Sequence, residues 1–240
     1  PGNDGVFFEH AHRLIGMFVG LTSMIMVVCV WKWSASTGIK LLATLVFVLV
    51  CAQGVVGGLR VTLDNIWLAM VHGVVGQLIF AGFVCLTAMM SPRWKTPTQS
   101  SQKGDLRWAT FLCIAMVLQL VLGALYRHMI SDELLSPKAT HVLYTHIAFA
   151  FLVLLFAIVV GIRCMNRDNA LLKKLAIALH TLVLVQLLLG GGALVVILLH
   201  KGETIPMYEV LVTTAHQANG ALLLGISFLT YVWVRRMILT

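Results

Sequence analysis

The sequence has very little charge for its length. Only 11% of its 240 residues are Asp, Glu, Lys or Arg, whereas 60% are hydrophobic. A soluble domain is about one quarter charged and about half apolar, so this composition excludes an ordinary soluble protein. The net charge of +8 does not indicate a nucleic-acid partner, because the charges of a membrane protein have to be assigned loop by loop.

Two further patterns are missing. The five cysteines have no C-x-x-C or paired spacing, which argues against a zinc site and against a disulfide framework, so we interpret them as small apolar residues. No segment alternates between apolar and polar residues in the way that the strands of a membrane β-barrel do. The chain is therefore expected to be helical.

The sequence does contain repeated apolar runs of about 20 residues, the length of a membrane-spanning helix. They predict an all-α polytopic membrane protein with seven transmembrane helices, at roughly 8–31, 39–59, 66–90, 106–127, 139–163, 171–199 and 207–234. The longest polar stretch, 91–105, predicts a cytoplasmic linker. It separates an N-terminal half-bundle at 1–90 from a C-terminal four-helix bundle at 106–240.

Lysine and arginine are concentrated in alternate loops. One set of loops holds twelve of the seventeen, and the opposite set holds five, together with seven of the nine acids. By the positive-inside rule the first set is cytoplasmic, so residue 1 is expected on the outer, periplasmic side of the inner cell membrane. The chain starts outside, has an odd number of spans, and begins with neither an initiator Met nor a signal peptide. We therefore expect a first helix upstream of Pro1.

Two short patterns recur along the chain and indicate weak internal symmetry. The first is Q-x-x-x-G near the outer end of three spans, at Gln53–Gly57, Gln119–Gly123 and Gln186–Gly190. The second is a His followed four residues later by Gly or Ala. "HGVVGQL" at 72–78 resembles "HQANGAL" at 216–222, and "HRLIG" at 12–16 has a looser counterpart in "HIAFA" at 146–150.

Four of the nine histidines lie about two turns inside the outer end of a span, two in each half. These are His12, His72, His146 and His216. Neutral imidazole is a good axial ligand of haem iron, and a small residue one turn away leaves room for a flat macrocycle. Two facing pairs would hold two haems. Core histidines bonded to neighbouring helices, a chlorophyll-like pigment and a bare metal remain alternatives, although a bare metal usually recruits carboxylates or Cys as well.

The other histidines are weaker candidates. His141 lies five residues before His146, about 140° around the helix, and we choose His146 because it is deeper and has Ala150 one turn further on. His180 lies near mid-membrane, where an ionisable residue usually has a function, but a hydrogen bond to a neighbouring helix explains it equally well. The remaining three lie at helix ends and need no special explanation: His10, His128 and His200.

Glu9 and His12 are three residues apart and share a helix face. The carboxylate could serve as a general base, as a proton relay or as a polar group beside a reacting porphyrin substituent. Alternatively, it is a first-turn carboxylate paired with Arg13. Arg60 and Arg127 each follow a Q-x-x-x-G motif on the outer side, where they could pair with anionic haem propionates or extend to the membrane interface.

Together these residues resemble the haem A synthase family. The resemblance rests on "EHAHRLIG" at 9–16, "QGVVGGLRV" at 53–61, "HGVVGQ" at 72–77, "QLVLGALYRH" at 119–128 and "THQANGALL" around His216, and it extends over essentially the whole chain. It implies two pseudo-symmetric four-helix bundles with eight spans in the full protein. The first span would be missing from this chain, in agreement with the odd number of spans.

The resemblance also implies a reaction, the oxidation of a ring methyl of haem O to a formyl group, which yields haem A for cytochrome oxidase. On this resemblance His12 and His72 flank the substrate haem beside Glu9, and His146 and His216 hold a haem b that passes electrons. The cysteine pair found in the outer loop of some members is absent here, which puts a thiol-dependent step in question. Expected partners are haem O, haem O synthase, cytochrome oxidase assembly factors, the lipid bilayer and a second copy of the chain in a homo-oligomer.

Two other functions stay open at this point. A dihaem b-type electron-transfer protein linked to quinol or ferredoxin would use the four histidines equally well, but it gives Glu9 no chemical task. A transporter with structural histidines would bind no haem. The identity of the pigment that the protein carries separates these functions.

Overall fold

In a computed structural model, the described part of the chain comprises residues 3–33, 36–96, 99–129, 137–199 and 205–238. These residues form eight helices and no β-strand. In chain order the helices are α1 (Asn3–Trp33), α2 (Thr37–Thr62), α3 (Ile66–Met89), α4 (Pro92–Lys95), α5 (Lys103–Met129), α6 (Pro137–Met165), α7 (Ala170–Leu199) and α8 (Met207–Arg236).

All the helices except α4 are long and apolar enough to cross a membrane. In lipid every backbone polar group must be bonded within the protein, and a helix achieves this within a single segment. Many large side chains that these helices leave exposed are apolar, Phe18 and Leu188 among them, as a lipid-facing surface requires. The prediction of an all-α multi-pass membrane protein with seven spans is confirmed.

The first of two compact units is Pro1–Met90. In it α2 packs against both α1 and α3, around a core that includes Val46 and Leu86. Between α2 and α3 the chain reverses over three residues, with Asp64 at a positive φ of 45°. Asn65 then caps α3 by accepting a hydrogen bond from the backbone N–H of Leu68 at 3.1 Å. This tight turn sets the register between the end of α2 and the start of α3.

The second unit is Ser91–Thr240, and it contains a four-helix bundle. Each long helix packs against two others, in the closed order α5, α6, α7, α8 and back to α5. His146 on α6 and His216 on α8 therefore lie on diagonally opposed helices. The two Q-x-x-x-G motifs of this unit lie on the other diagonal, on α5 and α7.

The described residues of the polar stretch that the sequence predicts to be a linker, 91–96 and 99–105, belong to the second unit, and several of them pack against the end of α8. The rings of Trp94 and Trp233 are 5.1 Å apart, and Arg236 Nε donates to the Trp94 carbonyl at 3.2 Å. The backbone N–H of Ser100 donates to the carbonyl of Met237 at 3.3 Å. Polar composition alone does not distinguish a free linker from a segment that covers the end of a helix bundle.

A buried carboxylate ties α5 to the end of α6. Asp105 is 3% exposed and accepts hydrogen bonds from Arg163 Nε at 2.7 Å and from the backbone N–H of Gln102 at 2.9 Å. Oδ2 of Asp105, which accepts from Gln102, also pairs with Nη2 of Arg167 at 2.8 Å. A side chain at Gly104 would collide with the Arg163 guanidinium, since a Cβ there would lie 2.8 Å from Nη2. The network needs both the acid and the adjacent glycine.

We expect Asp105→Ala to lower the free energy of unfolding by about 3 kcal/mol, because removing one partner of a buried ion pair leaves the other charges uncompensated. Equilibrium unfolding of the detergent-solubilised protein measures this. The matched control is Asp168→Ala in the turn between α6 and α7, where the exposed Asp168 lies 3.8 Å from Lys173 and should contribute little, because solvent screens an exposed ion pair. Equal losses in the two variants would contradict the structural role of Asp105.

Candidate functional site

The four histidines selected from the sequence come together as two facing pairs, one in each unit. In the first unit the ring centroids of His12 on α1 and His72 on α3 are 6.2 Å apart, with an interplanar angle of 76°. In the second unit His146 on α6 and His216 on α8 are 6.4 Å apart, at 73°. Residues that are 60 to 70 positions apart in the sequence thus form nearly identical arrangements.

This spacing suits one metal ion held between two imidazoles. A bond from a first-row metal to an imidazole nitrogen is about 2 Å long, and the ring centre lies about 1 Å behind that nitrogen, so two imidazoles on one metal place their centroids about 6 Å apart. The two rings would occupy the axial positions of an iron porphyrin, whose other ligands belong to the macrocycle. The residues present therefore fit a haem in each unit.

The second ring nitrogens support the same fit. Nδ1 of His72 and Nδ1 of His146 are buried without a hydrogen-bond partner among the described residues. The main chain of Gln53 lies beside the first ring, and that of Gln119 beside the second. A histidine that binds a metal through one nitrogen usually donates the proton of the other to a carboxylate or a backbone carbonyl, which fixes its orientation. A small rotation of each ring would complete that bond.

A glycine backbone contacts three of the four imidazoles. A Cβ built on each glycine would lie only 3.0 Å from Cε1 of the ring, tighter than ordinary van der Waals contact. The three contacts are Gly57 with His72, Gly123 with His146 and Gly190 with His216. Each glycine is the last residue of a Q-x-x-x-G motif. The sequence revealed this repeat, but only the structure shows that its glycine makes room for the imidazole of an adjacent helix.

The glutamines of the motif also approach the rings. In the second unit Gln119 Nε2 donates to the carbonyl of His146 at 3.0 Å and lies 3.4 Å from Nε2 of that ring. Gln186 Nε2 lies 3.2 Å from Nδ1 and 3.3 Å from Nε2 of His216. In the first unit Gln53 Oε1 is buried without a hydrogen-bond partner among the described residues.

The small residues that follow the histidines by four positions do not all have the same surroundings. At Gly16 and Gly76 a Cβ would meet nothing within 4 Å, so these positions leave the space that the sequence pattern predicts. At Gly220 the corresponding space is occupied by the amide of Gln186, with Nε2 3.2 Å from the Cβ position. The expectation of free space therefore does not hold at Gly220.

Glu9 and Arg13 form an ion pair on the exposed surface of α1, with side-chain exposures of 51% and 65%. The sequence offered this pairing as an alternative, but α1 begins at Asn3, so Glu9 lies in the second turn of the helix and not in the first. Glu9 lies about one turn from His12 along the same helix face. The pairing orients the carboxylate, and a chemical task for Glu9 stays a prediction.

The two arginines selected as partners of anionic groups lie one turn beyond the glycines that contact the rings. Arg60 follows Gly57 on α2, is half-buried, and lies within electrostatic range of His72. Arg127 follows Gly123 on α5 and is exposed. Both guanidinium groups could form charge-assisted bonds with an anionic substituent of a ligand held by the imidazoles.

The remaining histidines lie elsewhere. His141 is exposed on α6, and His146 is the residue that faces His216. The ring of His180 packs directly against the backbone of Gly161, with Nε2 3.4 Å from the carbonyl oxygen of Ile158. This contact with the neighbouring helix accounts for an intramembrane His180. His10 and His128 lie near helix ends, and His200 falls outside the described residues.

Comparison with known protein families identifies the relationship. A family model described as a cytochrome oxidase assembly protein, COX15-CtaA, matches residues 4–132, more than half of the chain. The chain belongs to this family. The resemblance to the haem A synthase family is thereby confirmed. Searches of curated proteins and of solved structures find no match.

The match to the COX15-CtaA family extends from α1 into the residues that follow α5. It includes Glu9, both histidines of the first pair and two of the three Q-x-x-x-G motifs. The pair formed by His146 and His216 lies beyond the matched residues, so its assignment as an equivalent site rests on its geometry. That geometry repeats the first pair to within 0.2 Å in centroid distance and 3° in interplanar angle.

Proposed function

We propose that this chain is a haem A synthase, which oxidises one ring methyl of haem O to a formyl group. The observation that carries the proposal is the pair of facing imidazoles in each unit, at the spacing of a shared iron, in a chain that belongs to the cytochrome oxidase assembly family. In this proposal the first unit binds the substrate haem O. The second unit binds a resident haem b.

In the first unit His12 and His72 would hold the iron of haem O between them and so would orient the macrocycle. Gly57 lets α2 approach the His72 ring closely. Arg60, one turn further along α2, pairs with a propionate. These contacts position the macrocycle against α1, where a ring methyl can come close to the carboxylate of Glu9.

Glu9 is the residue that we assign to the chemistry. Conversion of a methyl to a formyl group is a four-electron oxidation that also adds an oxygen atom, so it needs an oxidant of the dioxygen class, with water as the second product. A carboxylate beside that carbon would accept and relay the protons that this oxidation releases. The ion pair with Arg13 restricts the rotamers of both side chains. The dihaem electron carrier considered above gives this carboxylate no such task.

In the second unit His146 and His216 would hold the resident haem, and Gly123 and Gly190 make room for their rings. A haem with two histidine ligands supplies one-electron redox chemistry. Arg127 lies one turn beyond Gly123 and can pair with a propionate of this haem. The concentration of Lys and Arg in alternate loops supports a position of both sites towards the periplasmic face of the inner membrane. Haem O synthase and cytochrome oxidase assembly factors are the partners that would supply the substrate and receive the product.

The pigments bound to the protein test this proposal. The chain is purified from cells that make haem O, and its haems are extracted and identified by chromatography and mass spectrometry. We expect haem b together with haem O or haem A. Haem b in both sites would support the dihaem electron carrier and contradict the synthase, and the lack of a Soret band would contradict haem binding altogether.

We expect Glu9→Gln to retain both haems but to lower haem A formation by a factor of about 100 or more, the usual contribution of a general base. Haem A formed per bound haem O is the quantity to measure. Asp64→Asn is the matched control, because it removes another exposed carboxylate of the same unit, from the turn between α2 and α3. Unchanged haem A formation in Glu9→Gln would exclude a catalytic role for this residue.

The glycine contacts allow a test of each haem site with a neighbouring residue as control. Gly57→Val and Gly190→Val place a branched side chain where a Cβ alone would be 3.0 Å from an imidazole, and we expect each to remove most of the haem from its own unit. The controls are Gly58→Val and Gly191→Val, where a Cβ meets nothing within 4 Å. Absorbance of bound haem per protein is the measurement, and equal loss in a variant and its control would contradict the contact.

A further inference from the structure

Two helix pairs present the same motifs in the two units. In the first unit α2 carries Gln53 and Gly57 and packs against α3, which carries His72. In the second unit α7 carries Gln186 and Gly190 and packs against α8, which carries His216. The glycine-to-imidazole contact is 3.0 Å in both. This correspondence allows the surroundings of the two imidazoles to be compared residue by residue.

One position breaks the correspondence. Three residues after the histidine, the second unit has Asn219 and the first unit has Val75. Asn219 is 7% exposed, and its Nδ2 donates to the carbonyl of Leu182 at 3.0 Å and to Gln186 Oε1 at 2.8 Å. Because a backbone carbonyl can only accept, the bond to Leu182 determines which end of the Asn219 amide is the nitrogen.

This arrangement determines the orientation of Gln186 in turn. With Oε1 accepting from Asn219, Nε2 must face His216, where it lies within 3.3 Å of both ring nitrogens. Because an imidazole bound to a metal through one nitrogen keeps only an N–H donor on the other, this amide holds such a ring by packing against it and not by a hydrogen bond. The same Nε2 lies against Gly220, at 3.2 Å from the Cβ position, so the amide is held between α8 and the imidazole. A continuous set of contacts thus runs from the Leu182 carbonyl through Asn219 and Gln186 to the His216 ring. We call this set the brace.

The first unit lacks a brace. Val75 has no donor, and Gln53 Oε1 is buried with no hydrogen-bond partner among the described residues. Gly76, which corresponds to Gly220, has nothing within 4 Å of its Cβ position, so the Gln53 amide does not fill that space. The His72 ring is in contact with Gly57, but the adjacent glutamine side chain is not fixed from α3.

We infer that Asn219 is a positioning residue which, through Gln186, orients His216 and makes the second unit retain its haem more firmly than the first. This inference rests on the proposed function for the roles of the two units. A resident cofactor has to stay bound through many turnovers, whereas a substrate site has to take up one porphyrin and release another. Removal of a residue that orients a metal ligand typically weakens metal binding by about 10- to 100-fold.

The rate at which each site releases haem tests the inference. The full chain is reconstituted with iron protoporphyrin, and haem transfer to an excess of apomyoglobin is followed at the Soret band. His72→Ala removes haem binding in the first unit, so that haem release is measured from the second unit alone. His216→Ala removes haem binding in the second unit, so that release is measured from the first unit alone. In the His72→Ala background we expect Asn219→Val, which installs the residue of the first unit, to speed haem release about tenfold or more.

A double-variant comparison separates positioning from a loss of folding. If Asn219 acts through Gln186, then Gln186→Leu should speed release to a similar extent, and the double variant should release haem no faster than either single one. The electron paramagnetic resonance spectrum of the ferric haem should also change in Asn219→Val, because its g values depend on the orientation of the axial imidazole. An additive effect of the two substitutions with an unchanged spectrum would overturn the inference.

The reciprocal variant, Val75→Asn, gives the first unit the hydrogen-bond donor of the second unit and removes no hydrogen bond. In the His216→Ala background, Val75→Asn places a donor next to the Gln53 amide, and we expect haem release from the first unit to become slower by about tenfold. The brace would be refuted if Val75→Asn and Asn219→Val each released haem at the same rate as its parent. An unsubstituted chain that retains haem but makes no haem A would contradict the proposed function alone. An unsubstituted chain that retains no haem would contradict both.

Discussion

The candidate sites depend on one contact, the approach of a glycine backbone to an imidazole ring. At three of the four histidines a glycine of a neighbouring helix lies very close to the ring. A methyl group on that glycine would be only 3.0 Å from Cε1 of the imidazole. This close approach lets a ring on one helix turn towards a ring on another, across the width of a unit. Because the glycine belongs to Q-x-x-x-G, the same contact brings a glutamine amide one turn away to the ring. The motif therefore makes room for the ligand and provides a polar group beside it.

The distribution of polar groups follows from the cost of placing them in lipid. Most of the charge lies at helix ends, and the buried carboxylate that remains, Asp105, is paired with two arginines and a backbone N–H. Deeper in the units the polar side chains are neutral imidazoles and amides. They satisfy one another or the backbone, as Asn219 does with Leu182 and Gln186. Atoms left without partners among the described residues lie at both sites: Nδ1 of His72 and Oε1 of Gln53 at the first, and Nδ1 of His146 and Oε1 of Gln119 at the second.

The two units repeat one arrangement of helices and imidazoles but differ in the polar groups beside one ring. The helix register, the glycine contact and the spacing of the imidazoles are nearly the same in both. Three residues after the histidine, the first unit has Val75 and the second unit has Asn219, and this single difference determines whether the glutamine beside the ring is held in place. In the proposed function this difference separates a site that exchanges its porphyrin from one that keeps it.

The sequence by itself determined the helices and the depth of the histidines. An apolar run of about 20 residues has to form a helix in lipid, so the seven spans could be located, although helices such as α2 extend a few residues beyond the predicted span at each end. The tertiary structure decided which rings face each other, that the glycines of Q-x-x-x-G contact imidazoles, and that several described residues of the stretch 91–105 pack against the end of α8. It also brought Asn219 next to Gln186. These contacts depend on the order and rotation of helices far apart in the chain, which the hydrophobic pattern of a single helix does not encode.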